Sequence, residues 1–190
     1  CAASCLPRKE LFESWEVARR VRRRFRGGRV VDLACGHGLL AYLMLLLDDT
    51  SATALAVDVR IPKSAAKVRA AMEAEWPRLA GRVTACAMPL GDVQLEPGDV
   101  VISAHACGAL TDEVLAVAIA ANARVAVLPC CQDKATGDQG GVEGWLEAPL
   151  AIDVTRAARL RAAGYAVHTQ TIPRAITEKN RLLLGRPSGQ

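Results

Sequence analysis

Val30-Val31-Asp32-Leu33-Ala34-Cys35-Gly36-His37-Gly38-Leu39-Leu40-Ala41 is an apolar run that meets an acid, turns through two glycines and continues straight into a second apolar segment. The pattern predicts strand, turn and helix. Closely spaced glycines let a backbone approach a ligand where a Cβ would collide, and the helix that follows offers unpaired N–H groups at its start. A nucleotide-like cofactor is the expected occupant.

Gly36, Gly38 and Ala41 also satisfy the G-x-G-x-x-A fingerprint of dinucleotide sites, so a NAD-linked oxidoreductase is one reading. Asp32, four residues ahead of Gly36, favours another. A carboxylate this close repels a pyrophosphate, whereas the methionine end of S-adenosylmethionine carries an ammonium that an acid attracts. Ala34, Cys35, Gly36, His37 and Gly38 then form the cofactor turn. Asp58, in Val57-Asp58-Val59-Arg60, follows Gly36 by 22 residues. A strand-end carboxylate there can accept both ribose hydroxyls, which adds Asp58 and Val59 to the cofactor set. Asp92 is placed against the adenine amino edge, and Ser103 and Ala104 close the set at the end of a later strand.

With 190 residues, 51% hydrophobic and 23% charged, the chain suits one globular domain, and 4% aromatic residues imply a largely aliphatic core. The longest apolar run, Leu39 to Leu47, is bounded by Asp48-Asp49 and is too short to span a membrane, so no membrane partner is expected. Seven cysteines without a signal-peptide pattern suggest a reducing, cytoplasmic setting rather than a disulfide scaffold. The start at Cys1 is read as the mark of a fragment or an excised domain.

The net charge of +4 is uneven. Between Arg8 and Arg29, nine basic residues face only Glu10, Glu13 and Glu16, a local +6 that leaves −2 for the rest. A basic N-terminal helix (1–27) is therefore set apart from the main domain (28–190). Leu11, Trp15, Ala18, Val21 and Phe25 form its expected docking stripe, with the arginines in solvent for RNA phosphates or an acidic protein partner.

Strand patterns recur at 29–34, 53–59, 82–87, 99–104 and 124–129, with helical patterns at 38–48, 63–76, 109–121 and 153–163, which predicts an α/β Rossmann-like fold with a mostly parallel sheet. Residues 165–172 and 180–184 then follow as two strands with no helix between. A closing hairpin predicts seven strands in the class I methyltransferase order 3-2-1-4-5-7-6, where a dinucleotide domain would add another parallel crossover. The polar, glycine-rich segment 133–144 reads as a mobile loop.

The fourth and fifth strands end in Ser103-Ala104-His105-Ala106-Cys107-Gly108 and Pro129-Cys130-Cys131, at the edge where open α/β sheets bind ligands. His105, Cys107, Cys130 and Cys131 are the candidate catalytic residues, with Cys35 and His37 nearby. Three readings stand side by side. His105 serves as general base or orienting group while the thiols pack as small hydrophobes; the cluster takes a soft metal, although no C-x-x-C pair is present and no resident metal is expected; or a cysteine attacks covalently. Near the hairpin, Arg174, Lys179, Asn180 and Arg181 are candidates for an anionic substrate.

Asp32 to Gly38, Asp58-Val59-Arg60, His105-Ala106-Cys107-Gly108, Pro129-Cys130-Cys131 and Lys179-Asn180-Arg181-Leu182-Leu183 together resemble a branch of the class I methyltransferases. The likeness, over about residues 28–185, is to the methyltransferase domain of methyltransferase-like and glutathione-S-transferase-C-terminal-domain-containing proteins, and more distantly to tRNA 2′-O-methyltransferases bearing a CHHC finger. That finger is missing from this sequence. The resemblance implies S-adenosylmethionine at the first two strand ends and an RNA-type acceptor. A noncatalytic module that binds the donor or a metal is the remaining alternative.

Overall fold

Strand β1 (Val30–Leu33) is buried at all four positions because helices cover both sheet faces. The computed structural model describes residues 5–135 and 137–189, so residues 1–4, Thr136 and Gln190, which include parts of the expected basic segment and of the 133–144 loop, lie outside the description. Its other strands are β2 (Ala54–Asp58), β3 (Val83–Ala87), β4 (Val100–Ser103), β5 (Arg124–Val127), β6 (Tyr165–Thr171) and β7 (Arg181–Pro187). They form one sheet in the order β3-β2-β1-β4-β5-β7-β6, as the closing hairpin predicts. Strands β1 to β5 pair in parallel, and β7 runs antiparallel to both β5 and β6.

Alternation along the strands divides the core in two. Val30 and Ile102 pack with α1 (Arg8–Arg22), α2 (Leu39–Leu46) and α3 (Ala65–Glu75), through Val17, Val21, Leu43, Met44 and Met72. Val31, Leu33, Val101 and Val125 pack on the opposite face with α4 (Ala109–Ala120) and α5 (Ala148–Ala162), through Val114, Ala118 and Leu160. Helix α5 starts five residues before the expected 153, with Pro149 in its first turn, where a missing N–H costs little. Among the described residues no helix is long and apolar enough to cross a membrane.

Helix α1 docks through four of its five expected stripe residues, since Ala18, Val21 and Phe25 are buried and Leu11 packs against the same core. Trp15 is 39% exposed and Phe12 43%, while Ser14, Val17, Ala18, Val21 and Arg22 are buried. Arg22 is drawn inward instead of facing solvent. Its Nε donates to Met44 O at 2.9 Å and its Nη2 to Ser51 Oγ at 2.8 Å, and Nη1 lies 3.1 Å from Asp48 Oδ2. Burial pulls the Arg22 pKa down to about 10, opposed by the Asp48 charge. Removing one partner of such a pair leaves the other charge buried and uncompensated. Arg22→Met is therefore expected to destabilise the fold by about 3 kcal/mol in urea unfolding, and R22M/D48N by clearly less than R22M alone.

Candidate functional site

Strand order reverses about β1, with β2 on one side and β4 on the other, so the turns leaving the carboxyl ends of β1 and β4 diverge and open a crevice between them. In the β1 turn, Cys35 N donates to Val57 O at 3.0 Å and Gly38 N to Cys35 O at 2.8 Å. Ala34, Gly36 and Gly38 all have positive φ, at 55°, 52° and 72°. That conformation strains any residue with a Cβ, and Ala34 carries the strain at the crevice wall. A Cβ on Gly36 would point into open space, where a ligand can approach the backbone.

Asp58 ends β2 and is fixed by two backbone donors, Gly36 N to Oδ2 at 3.0 Å and Arg60 N to Oδ1 at 3.1 Å. Beside it lies a small apolar slot lined by Ala34, Val59, Met88, Leu90 and Leu110. A fixed carboxylate next to an apolar slot fits an adenosine: the acid accepts from the ribose hydroxyls and the slot takes the base. Asp92 is exposed in the short turn that follows Leu90. Met88, Leu90 and Leu110 escape the sequence reading, because apolar residues beside a turn look like any others in the core.

Asp32 lies beneath the turn, 1% exposed, with Ala41 N donating to its Oδ2 at 3.2 Å. Desolvation raises its pKa to about 8 despite the Ala41 bond, and the Asp58 charge adds to the rise. Cys35 and His37 do not join the other cysteines. Cys35 packs against the α1–α3 core, where burial pushes its thiol pKa up. His37 Nε2 lies 2.9 Å from Ser64 Oγ and its Nδ1 3.8 Å from Glu10 Oε1, which ties the turn to α1 and to the start of α3.

Across the crevice, Ser103 is buried with no partner for Oγ, Ala104 is buried, and His105 is half-buried with no partner for Nε2. Gly108 N donates to Cys131 O at 3.1 Å and joins the two cysteine-bearing turns. From below, Arg156 Nη2 donates to Gly108 O at 2.9 Å and to Asp112 Oδ2 at 2.8 Å, and Nη1 reaches Asp153 Oδ1 at 3.3 Å. Arg156 is absent from the sequence reading, although Ile152, Arg156 and Leu160 at four-residue spacing place it on the buried face of α5.

Two of the four expected substrate residues have structural partners instead. Arg181 Nε donates to Asp153 Oδ2 at 2.6 Å and Nη2 to Pro149 O at 3.0 Å, which binds β7 to α5. Asn180 Nδ2 donates to Ile172 O at 2.9 Å and closes the hairpin. Arg174 and Lys179 remain exposed on the β6–β7 connection. The 133–144 segment is also tied: Gly137 N donates to Asp133 O at 2.8 Å, and Arg159 Nη2 meets Asp138 Oδ2 at 2.5 Å.

The Asp32 environment sets a pH dependence. In the unfolded chain Asp32 ionises near pH 4, but the fold holds the proton up to about pH 8, so stability falls as pH rises between these values. Asp32→Asn removes this penalty. Calorimetry at pH 5 and pH 8.5 is expected to show a smaller loss of Tm in the variant, which is the more stable protein at pH 8.5 by roughly 5–10 °C.

Comparison with known proteins now decides between the readings of the turn. A family described as "Methyltransferase domain" matches residues 11–138, and no curated protein sequence matches the chain. An O-methyltransferase family protein from Burkholderia thailandensis superposes with a TM-score of 0.60 at 20% identity, over 96% of this chain and 57% of that one. Precorrin-6y C5,15-methyltransferase from Geobacter metallireducens GS-15 gives 0.61 at 13% identity, over 99% and 94%. Ribosomal protein L11 methylase from Lactobacillus delbrueckii subsp. bulgaricus gives 0.61 at 12% identity, over 96% and 80%. At such identities these structures speak for the fold alone, and the chain spans little more than half of the first of them. The family match sets the nicotinamide reading aside: the chain belongs to the methyltransferase domain family, with S-adenosylmethionine as its methyl donor.

Proposed function

We propose that this methyltransferase domain modifies a nucleophile in RNA, bound across the carboxyl rim of the sheet. One observation carries the reading. Lys134, Arg174 and Lys179 are exposed on the β5–α5 and β6–β7 connections, and none is in an ion pair among the described residues. Trp145, on the same β5–α5 connection, is 87% exposed. Free cations attract phosphates, and an exposed indole offers a stacking surface to a splayed base. The basic helix adds less than its composition suggests, since Lys9, Arg19, Arg20, Arg22, Arg26 and Arg29 are each ion-paired with Glu13, Glu16, Asp48 or Asp99. Arg8, Arg23 and Arg24 are left for a second contact, the last two beside Arg186 and His168.

The bound donor supplies an already electrophilic methyl group. Asp58 and the Gly36 turn hold and orient it, with Asp32 supporting them from below. His105, with its unpartnered Nε2 at the end of β4, orients the incoming nucleophile or accepts its proton, and Cys107, Cys130 and Cys131 line the same side. The described cysteines are all free thiols, which supports a reducing, cytoplasmic setting.

Tritium transfer from labelled S-adenosylmethionine into separate pools of RNA, protein and small molecules tests the acceptor. Label is expected in RNA. Label in protein alone, or donor binding without transfer into any pool, overturns the reading in favour of a protein acceptor or a noncatalytic module. With the labelled RNA as substrate, W145A and the triple variant K134Q/R174Q/K179Q are each expected to raise KM about tenfold, with donor affinity unchanged. His105→Ala is expected to lower kcat about 100-fold while donor binding persists in calorimetry.

A further inference from the structure

Cys107, Cys130 and Cys131 carry a signal that the methyl-transfer reading does not use. Their sulfurs lie within 4.8 Å of one another, although the residues come from two different turns. Cys107 follows β4, and Cys130 and Cys131 follow β5. The Gly108 N–H to Cys131 O bond locks the turns together, and buried Arg156 holds Gly108 O from beneath. Cys107 and Cys131 are exposed and Cys130 is half-buried, so an ion can reach all three from solvent.

We propose that these three cysteines form a binding site for a thiophilic divalent cation, zinc in the first instance, with the fourth coordination position open to water or to an acceptor group. Three thiolates with an open position match the ligand chemistry of zinc sites that keep one exchangeable ligand, and sulfur donors select soft or borderline ions over magnesium or calcium. The site is independent of what the acceptor is.

Cys107 Sγ and Cys130 Sγ stand 2.6 Å apart, whereas two sulfurs on a tetrahedral zinc, with Zn–S bonds of about 2.3 Å, are about 3.8 Å apart. Metal entry therefore spreads the pair by about an ångström, a side-chain rotation that their exposed turns allow. Burial together with the neighbouring thiols pushes the pKa of Cys107 and of Cys130 above the ordinary cysteine value. A divalent cation reverses that balance, deprotonates its ligands and releases their protons.

Chelator-treated, fully reduced protein titrated with Co2+ tests the site. The expected result is thiolate-to-cobalt charge-transfer absorption that saturates near one equivalent, two or three protons released per ion, and displacement by Zn2+. Cys107→Ser, Cys130→Ser and Cys131→Ser are each expected to weaken binding at least tenfold, whereas Cys86→Ser, on β3, leaves it unchanged. No charge-transfer band, or equal binding by the triple variant C107S/C130S/C131S, overturns the proposal. A Cys107–Cys130 disulfide that persists in reductant, seen by mass as the loss of two hydrogens, also overturns it. Wild-type protein provides a test that needs no substitution. Zn2+ is expected to slow iodoacetamide labelling at Cys107, Cys130 and Cys131 but not at Cys86, and equal protection of all four refutes a site at these residues.

Discussion

One buried guanidinium ties the turns after β4 and β5 to the helices and strand beneath them. Arg156 is 2% exposed and meets Asp112 from α4, Asp153 from its own helix and the carbonyl of Gly108 from the turn after β4. Asp153 in turn accepts from Arg181 on β7 and from Gln132 in the turn after β5. Two helices, the last strand and both cysteine-bearing turns thus converge on a charge that is costly to bury unless every partner is present. Such a hub leaves the surrounding backbone few alternative arrangements, which is what a site requires when reacting groups come from separate strand ends.

The side of the crevice formed by the ends of β1 and β2 is organised differently. There the constraint is backbone shape: three consecutive alternations into positive φ, at Ala34, Gly36 and Gly38, with Asp58 locking Gly36 N from the side and Asp32 locking Ala41 N from below. One half of the crevice is therefore built on main-chain amides and the other on side-chain charge. The division suits the two partners. Under the proposed function a donor of fixed structure is matched by the rigid turn, while the half proposed for the acceptor carries the exposed thiols, the orphaned His105 nitrogen and the exposed connections.

Legibility in the sequence followed how local each interaction is. The β1 turn, the strand-end position of Asp58 and the closing hairpin were readable because spacing and glycines encode them within a few residues. In helix α1 only Arg22 and Trp15 escaped the sequence reading, because Arg22 is buried against Asp48 and Ser51, more than twenty residues away, while Trp15 turns outward. The partners of Arg181 and Asn180 were hidden for the same reason, since Asp153 and the Ile172 carbonyl are neighbours only in the fold. The cysteine constellation was half legible. Placing Cys107 and Cys130 on adjacent strand ends follows from topology, but separating them from Cys35 and His37 needs the direction in which the β1 turn points.

The same distinction governs the charge. A helix with nine basic residues in its vicinity looks like an electrostatic surface, yet six of those cations are ion-paired with four carboxylates, Glu13, Glu16, Asp48 and Asp99, which cancel two-thirds of their charge. A paired cation contributes little field at a distance, because the dipole it forms decays faster than a monopole and salt screens the remainder. The charge available to an incoming polyanion is thus set less by where arginines are dense than by which cations lack an ion-pair partner. The rim carrying Lys134, Arg174 and Lys179 also carries exposed Glu143, Glu147 and Glu178, so its three unpaired cations act at short range on individual phosphates rather than as a net positive field, at the carboxyl edge where His105 and the thiols are presented.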